Sequence, residues 1–184
     1  MKRHAHSFTL ILSGVPDLSE KVVDALYEAG CDDALVGMRD GVVFLDFDRE
    51  ADSFKDAVLS AIADVEGAGI QAKVVRVEPD EIVTMAEIAR RTGRSRENIR
   101  QYFLGIRGPG DFPRPSGGLT QKSPLWRWTD VARWFVSNRM QVKPIPQEAI
   151  DAGPVVAAIN GVLDLRTHVG RKKHAKELCD LLLK

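Results

Sequence analysis

The sequence is poor in cysteine, in long apolar runs and in net charge, and each shortage excludes something. Its two cysteines, Cys31 and Cys179, lie far apart among 184 residues. They lack the paired spacing of a zinc site or a thiol redox motif, so reduced structural thiols are expected. Of the four histidines, His4 and His6 sit at a terminus, while His168 and His174 have no carboxylate or cysteine at ligand spacing. No metal or cofactor is therefore expected. No apolar run approaches the roughly 20 residues of a membrane span, and Met1-Lys2-Arg3-His4 is not followed by an uninterrupted signal core. The expectation is a cytoplasmic protein without a membrane partner. Internal repeats, low-complexity tracts and a phosphate-binding glycine loop are also missing.

With 44% hydrophobic and 28% charged residues, the composition is that of a globular chain with room for one ordinary domain or two small ones. The zero net charge is a sum of unlike parts. Residues 1–82 carry 8 Lys and Arg against 17 Asp and Glu, or −9; residues 83–143 carry 12 against 4, or +8; residues 144–184 carry 6 against 5, or +1. A basic block between an acidic and a neutral one points to a polyanion partner for that block.

Periodicity gives the first block an order of β-α-β-β-α-β. Phe8–Ser13 reads as a strand ending at Gly14, and Leu18 to Ala29 as a helix stopped by Gly30. Asp33–Met38 and Val42–Asp48 read as two strands about Asp40-Gly41, a hairpin signal. Ser53–Glu66 has Phe54, Ala57, Val58, Ala61, Ile62 and Val65 at helical spacing, and Gln71–Val77 supplies a fourth strand. The expected fold class is α+β, and the order is similar to the ferredoxin-like, split βαβ arrangement of a four-stranded antiparallel sheet under two helices. That arrangement serves many functions and identifies none. The expected domains are residues 1–80, for dimerisation or for a protein or small-molecule partner; residues 81–143; and a helical tail, 144–184. The tail opens at Lys143-Pro144-Ile145-Pro146 and holds one helix with Val155, Val156, Ile159, Val162 and Leu163 and another from about Arg171 to Leu183.

The basic block holds the informative pattern. Thr84 followed by Glu87 is a capping box that starts a helix at Met85, Gly93 stops it, and Ser95 caps a second helix held by Ile99, Tyr102 and Phe103. Ala89 is small where two helices must approach. Ile106 to Gly118 is too rich in Pro and Gly for a helix, Pro124 to Trp128 alternates as a strand, and Thr129-Asp130 opens a helix with Val131, Trp134 and Phe135 on one face.

Over about Val83 to Asn138 this succession resembles the winged helix-turn-helix module of the MerR and excisionase group. Arg94 departs from the pattern, standing where such families have a buried aliphatic residue. Either the turn differs, or the Arg stem packs while its head reaches phosphate. The resemblance implies double-stranded DNA as the partner and a transcriptional regulator or recombination factor, not an enzyme. With the apolar set inward, Glu97, Arg100 and Gln101 point outward, flanked by Arg94, Ser95, Arg96 and Asn98. Arg, Asn and Gln are the side chains that pair with guanine and adenine edges. Arg107, Arg114, Lys122 and Arg127 surround the wing, where phosphate contact is expected. A module this small needs a second copy for specificity, so a homodimer is expected.

Other patterns have plainer readings. Trp126, Trp128 and Trp134 are expected to pack a small core. Asp46 and Asp48 share a strand face and are expected to solvate it, with carboxylate-metal catalysis as the rival. An adaptor whose first domain binds a protein and whose basic module tethers it to DNA is the other alternative.

Overall fold

Strict alternation builds the first sheet. Along Val42–Ala51 every second side chain, Val43, Leu45, Phe47, Arg49 and Ala51, is buried while most of those between them are exposed, the period of a strand with one covered face. A computed structural model describes residues 3–120 and 123–168. It is a mixed α and β structure with an antiparallel four-stranded sheet. The chain divides into two units, residues up to Pro79 with the described residues from Ala158, and Asp80–Ala157.

The first unit contains β1 (His4–Ser13), α1 (Glu20–Glu28), β2 (Ala34–Arg39), β3 (Val42–Ala51), α2 (Phe54–Gly67) and β4 (Lys73–Glu78), with the strands in the order β2-β3-β1-β4. Asp40 and Gly41 both take positive φ, 52° and 78°, as a tight turn between β2 and β3 demands. Phe8, Leu10, Leu45 and Val77 from the sheet and Leu26, Val58, Ala61 and Val65 from the helices form the core. Cys31 is buried there, and its thiol is pushed up to about 11, chiefly by burial and then by Asp64. Ser53 caps α2 by accepting from the Asp56 N–H at 3.2 Å.

A buried cation organises one end of this unit. Arg49 donates to both Asp33 carboxylate oxygens at 2.8 and 2.9 Å, to Asp64 at 2.6 Å and to the Gly30 carbonyl at 2.6 Å. It ties β3 to α2 and to the loop after α1. Periodicity carries no sign of this, because Arg49 occupies an apolar position in the strand.

The described part of the expected tail is helical. One helix, α6 (Gln147–His168), contributes its earlier residues to the second unit and those from Ala158 onward to the first. In the first unit Asn160 accepts from the Val77 N–H at 2.8 Å and donates to the Val77 carbonyl at 2.9 Å, standing in for a further strand beside β4. Arg166 donates to the Val74 carbonyl and pairs with Glu66, which itself accepts from the Val74 N–H at 3.0 Å. The helix expected from Arg171 onward, with His174 and Cys179, lies outside the described residues.

The second unit contains β5 (Ile82–Thr84), α3 (Met85–Thr92), α4 (Arg96–Phe103), β6 (Leu125–Arg127) and α5 (Trp128–Ser137) with the start of α6. Val83, Ile88, Ile99, Tyr102, Trp126, Phe135 and Ile150 are its core. Glu81 is buried and accepts from the Thr129 N–H at 3.1 Å at the start of α5, while Gly153 of α6 lies against its carboxylate. Among the described residues no helix is long and apolar enough to cross a membrane.

Candidate nucleic-acid interface

The helix pair is set by its caps. Thr84 accepts from the Glu87 N–H at 3.2 Å and Ser95 from the Asn98 N–H at 3.1 Å, so each helix starts where a hydroxyl meets a free donor. The first cap is only half of the expected box. The Glu87 carboxylate does not return to Thr84 but takes Arg90 at 2.6 Å and Arg91 at 2.8 Å. Arg90 above all, assisted by Arg91 and opposed by burial, lowers the Glu87 carboxyl to about 2. Gly93 closes α3 with φ 68°, and Arg94 N–H returns to the Ala89 carbonyl at 3.0 Å, a helix end that favours glycine.

α4 then presents two faces. Ile99 and Tyr102 are buried, whereas Arg96, Glu97 and Arg100 are exposed and Gln101 is half-buried. Glu97 accepts from Arg100 and from Gln101, each at 3.4 Å, contacts long enough to be exchanged for an incoming acceptor. The other expected residues divide. Ser95 is the cap, and its hydroxyl donates to Asn98 Oδ1 at 3.0 Å, so Ser95 and Asn98 shape the helix start. Arg94 is half-buried and its guanidinium donates to the Gln141 carbonyl. Lys122 lies outside the described residues.

The segment between α4 and α5 is a long loop followed by one short strand. β6 pairs with β5, Val83 opposite Trp126, and a bridge of Gly117 with Leu125 joins the loop to the strand. β5 escapes notice in the sequence because three residues give no readable period. The loop is fixed by its aromatics: Phe112 packs 5.0 Å from Trp134, the Trp126 indole donates to the Pro113 carbonyl at 3.0 Å, and the Trp134 indole donates to the Gly110 carbonyl at 2.9 Å. The three tryptophans are buried, as their size suggests. Arg107, Arg114 and Arg127 stand exposed on this loop and strand, with Arg133 and Arg139 exposed nearby in sequence. None of these five has a carboxylate partner among the described residues. Arg91, by contrast, is held by Glu87 and the Asp80 carbonyl and lies over the Trp128 ring at 4.9 Å.

A cleft of about 840 Å³ runs beside α4, between the first turn of α3 and the segment entering β6. Arg96 and Arg100 line it with Met85, Ala86, Phe103 and Leu104. Leu104 and the α3 side of this cleft went unrecognised in the sequence, since they meet only through the crossing of two helices.

No family model, curated protein or solved structure matches this chain. The site therefore rests on its own chemistry. Within the unit's bounds, 80–157, the balance is 12 Lys and Arg against 8 Asp and Glu, or +4. The smaller excess reflects acidic residues at its margins, one of which, Glu81, is buried. Asp46 and Asp48 lie in the other unit, exposed, each accepting at 2.5 Å from a hydroxyl of β1, Thr9 and Ser7.

Proposed function

We propose that this protein binds double-stranded DNA in a sequence-specific way, as a transcriptional regulator or recombination-site factor. In this reading the second unit is a winged helix-turn-helix and the first a ferredoxin-like domain. The strand order β2-β3-β1-β4 under element order β-α-β-β-α-β supports the second identification. The observation that carries the function is α4. Its inner face is locked into an aromatic core while its outer face offers Arg96, Arg100 and Gln101, the last two held loosely by Glu97 at 3.4 Å.

An α-helix such as α4 is about 10–12 Å across with its side chains, which the roughly 12 Å width of the major groove admits. Arg100 and Gln101 would read base edges, and Arg107, Arg114 and Arg127 would meet phosphates. Phosphate neutralisation supplies the non-specific part of affinity and weakens with salt. Such a module alone falls short of the roughly 10⁻⁸ M affinities of specific regulators, so a homodimer on two half-sites belongs to the same proposal.

The test is titration of full-length variants against a duplex selected from a random pool and against a scrambled one. Arg100→Ala and Gln101→Ala should each cost about 1–3 kcal/mol on the selected site and much less on the scrambled one. Arg114→Ala should weaken both alike and flatten the salt dependence. Ile99→Ala should unfold the unit by opening a core cavity worth about 2–5 kcal/mol. Normally folded Arg100→Ala and Gln101→Ala proteins that bind both duplexes as the parent does would remove α4 as the reading element.

A further inference from the structure

The cleft beside α4 is not lined as a phosphate seat would be. Its cations, Arg96 and Arg100, share it with the Glu97 carboxylate, with the Thr84 and Ser123 hydroxyls at its margin, and with apolar Met85, Ala86, Phe103 and Leu104. Leu104 is 49% exposed although it follows directly on a helix whose inner face is fully packed. An apolar side chain at the rim of a reading helix is placed to take an apolar partner. The floor of the major groove offers one kind, the 5-methyl group of thymine.

Resting on the duplex-DNA reading above, we infer that this cleft is a thymine-methyl pocket, with Leu104 and Ala86 the residues that recognise the methyl beside a guanine taken by Arg100. Spacing supports the pairing. Arg100 and Leu104 are four apart, and Leu104, the C-cap, keeps helical backbone angles, so the two lie on one face about 6 Å apart along the axis. Base steps rise about 3.4 Å. The thymine therefore falls within about two steps of the guanine. The remaining apolar lining is already anchored, since Met85 and Phe103 pack against the core and Phe103 meets Trp126 edge-on at 5.4 Å. A rigid wall of this kind needs no ordering when the methyl arrives.

The experiment changes the DNA before it changes the protein. Full-length protein selects duplexes from a random pool, and the selected duplex is resynthesised with deoxyuridine replacing each thymine in turn, which removes only the methyl. Replacement at one or two positions near a guanine should weaken binding about fourfold, the equivalent of one buried methyl at about 0.8 kcal/mol. Leu104→Ala should bind the thymine and deoxyuridine duplexes alike, about as the parent binds the latter. Unchanged affinity for every deoxyuridine duplex would overturn the pocket while leaving the DNA reading intact. A methyl effect that persists in Leu104→Ala would overturn the assignment to this cleft. Failure to select any duplex would remove the DNA reading and this inference with it. The deoxyuridine series stands even if Leu104→Ala folds poorly.

Discussion

Two glycines on one helix should respond in opposite senses to the same substitution. Gly153 and Gly161 both lie in α6. For an exposed helix interior, Gly→Ala gains about 0.8–1.0 kcal/mol from lower backbone entropy in the unfolded chain. At Gly161 a new methyl meets nothing within 4 Å, so that gain should appear in full. At Gly153 a methyl would come well under 3.0 Å from both the Thr129 hydroxyl and the Glu81 carboxylate. Relieving that overlap means moving a buried carboxylate off the Thr129 N–H it accepts from at 3.1 Å. Overpacking costs about 1–3 kcal/mol and a disturbed buried hydrogen bond about 1–3 kcal/mol. Set against the helix gain, Gly153→Ala should destabilise by about 1–5 kcal/mol. Urea denaturation followed by tryptophan fluorescence reads the Gly153 change, because all three tryptophans lie in that unit; far-UV circular dichroism reads both variants. A Gly153→Ala protein as stable as Gly161→Ala would refute the packing of α6 against Glu81 and Thr129.

The Glu87 carboxyl, lowered to about 2 by Arg90 and Arg91, contributes stability that is complete above its ordinary value near 4.5 and lost as pH falls toward 2. Glu87→Gln should therefore melt below the parent at pH 6, by about 1 kcal/mol after solvent screening, and level with it near pH 2; a gap that is the same at both would count against the pairing. Arg49→Met leaves Asp33 and Asp64 facing each other without their cation and should cost about 3 kcal/mol in urea denaturation, whereas an unchanged midpoint would show that the network contributes nothing. Light scattering of the full chain should give about twice the chain mass, and a selected site should contain two half-sites; a monomer on one undivided site would rule out the homodimer.

The sequence displayed whatever depends on neighbours along the chain. Alternation in β3, the three- and four-residue spacing of α2, and the caps at Thr84, Ser95 and Gly93 are local, and all are present in the structure. What escaped is long-range. Arg49 reads as a strand-end charge until α2 brings Asp64 to it, 15 residues away. Asn160 is polar on a helix with no readable reason until it reaches Val77, 83 residues back. Glu87 fits a capping box equally well whether it returns to Thr84 or turns to Arg90, and only the rotamer decides. Within the candidate site, the outward set on α4 followed from helical geometry, while Arg94's bond to the Gln141 carbonyl and the cleft at Leu104 depend on how distant segments cross.

The side-chain closure of β4 by Asn160 and Arg166 also makes the sheet directional. With that edge's backbone groups at Val74 and Val77 occupied, a strand from another molecule can be added only beyond β2, where no further strand lies among the described residues. A sheet that grows from both sides can propagate without end, as fibrils do. One that grows from a single side stops after a single addition, since two copies joined β2 to β2 about a twofold axis use up the free edge of each. Any strand-to-strand assembly of this protein is thus limited to pairs, and disabling Asn160 and Arg166 together is the change that would lift the limit.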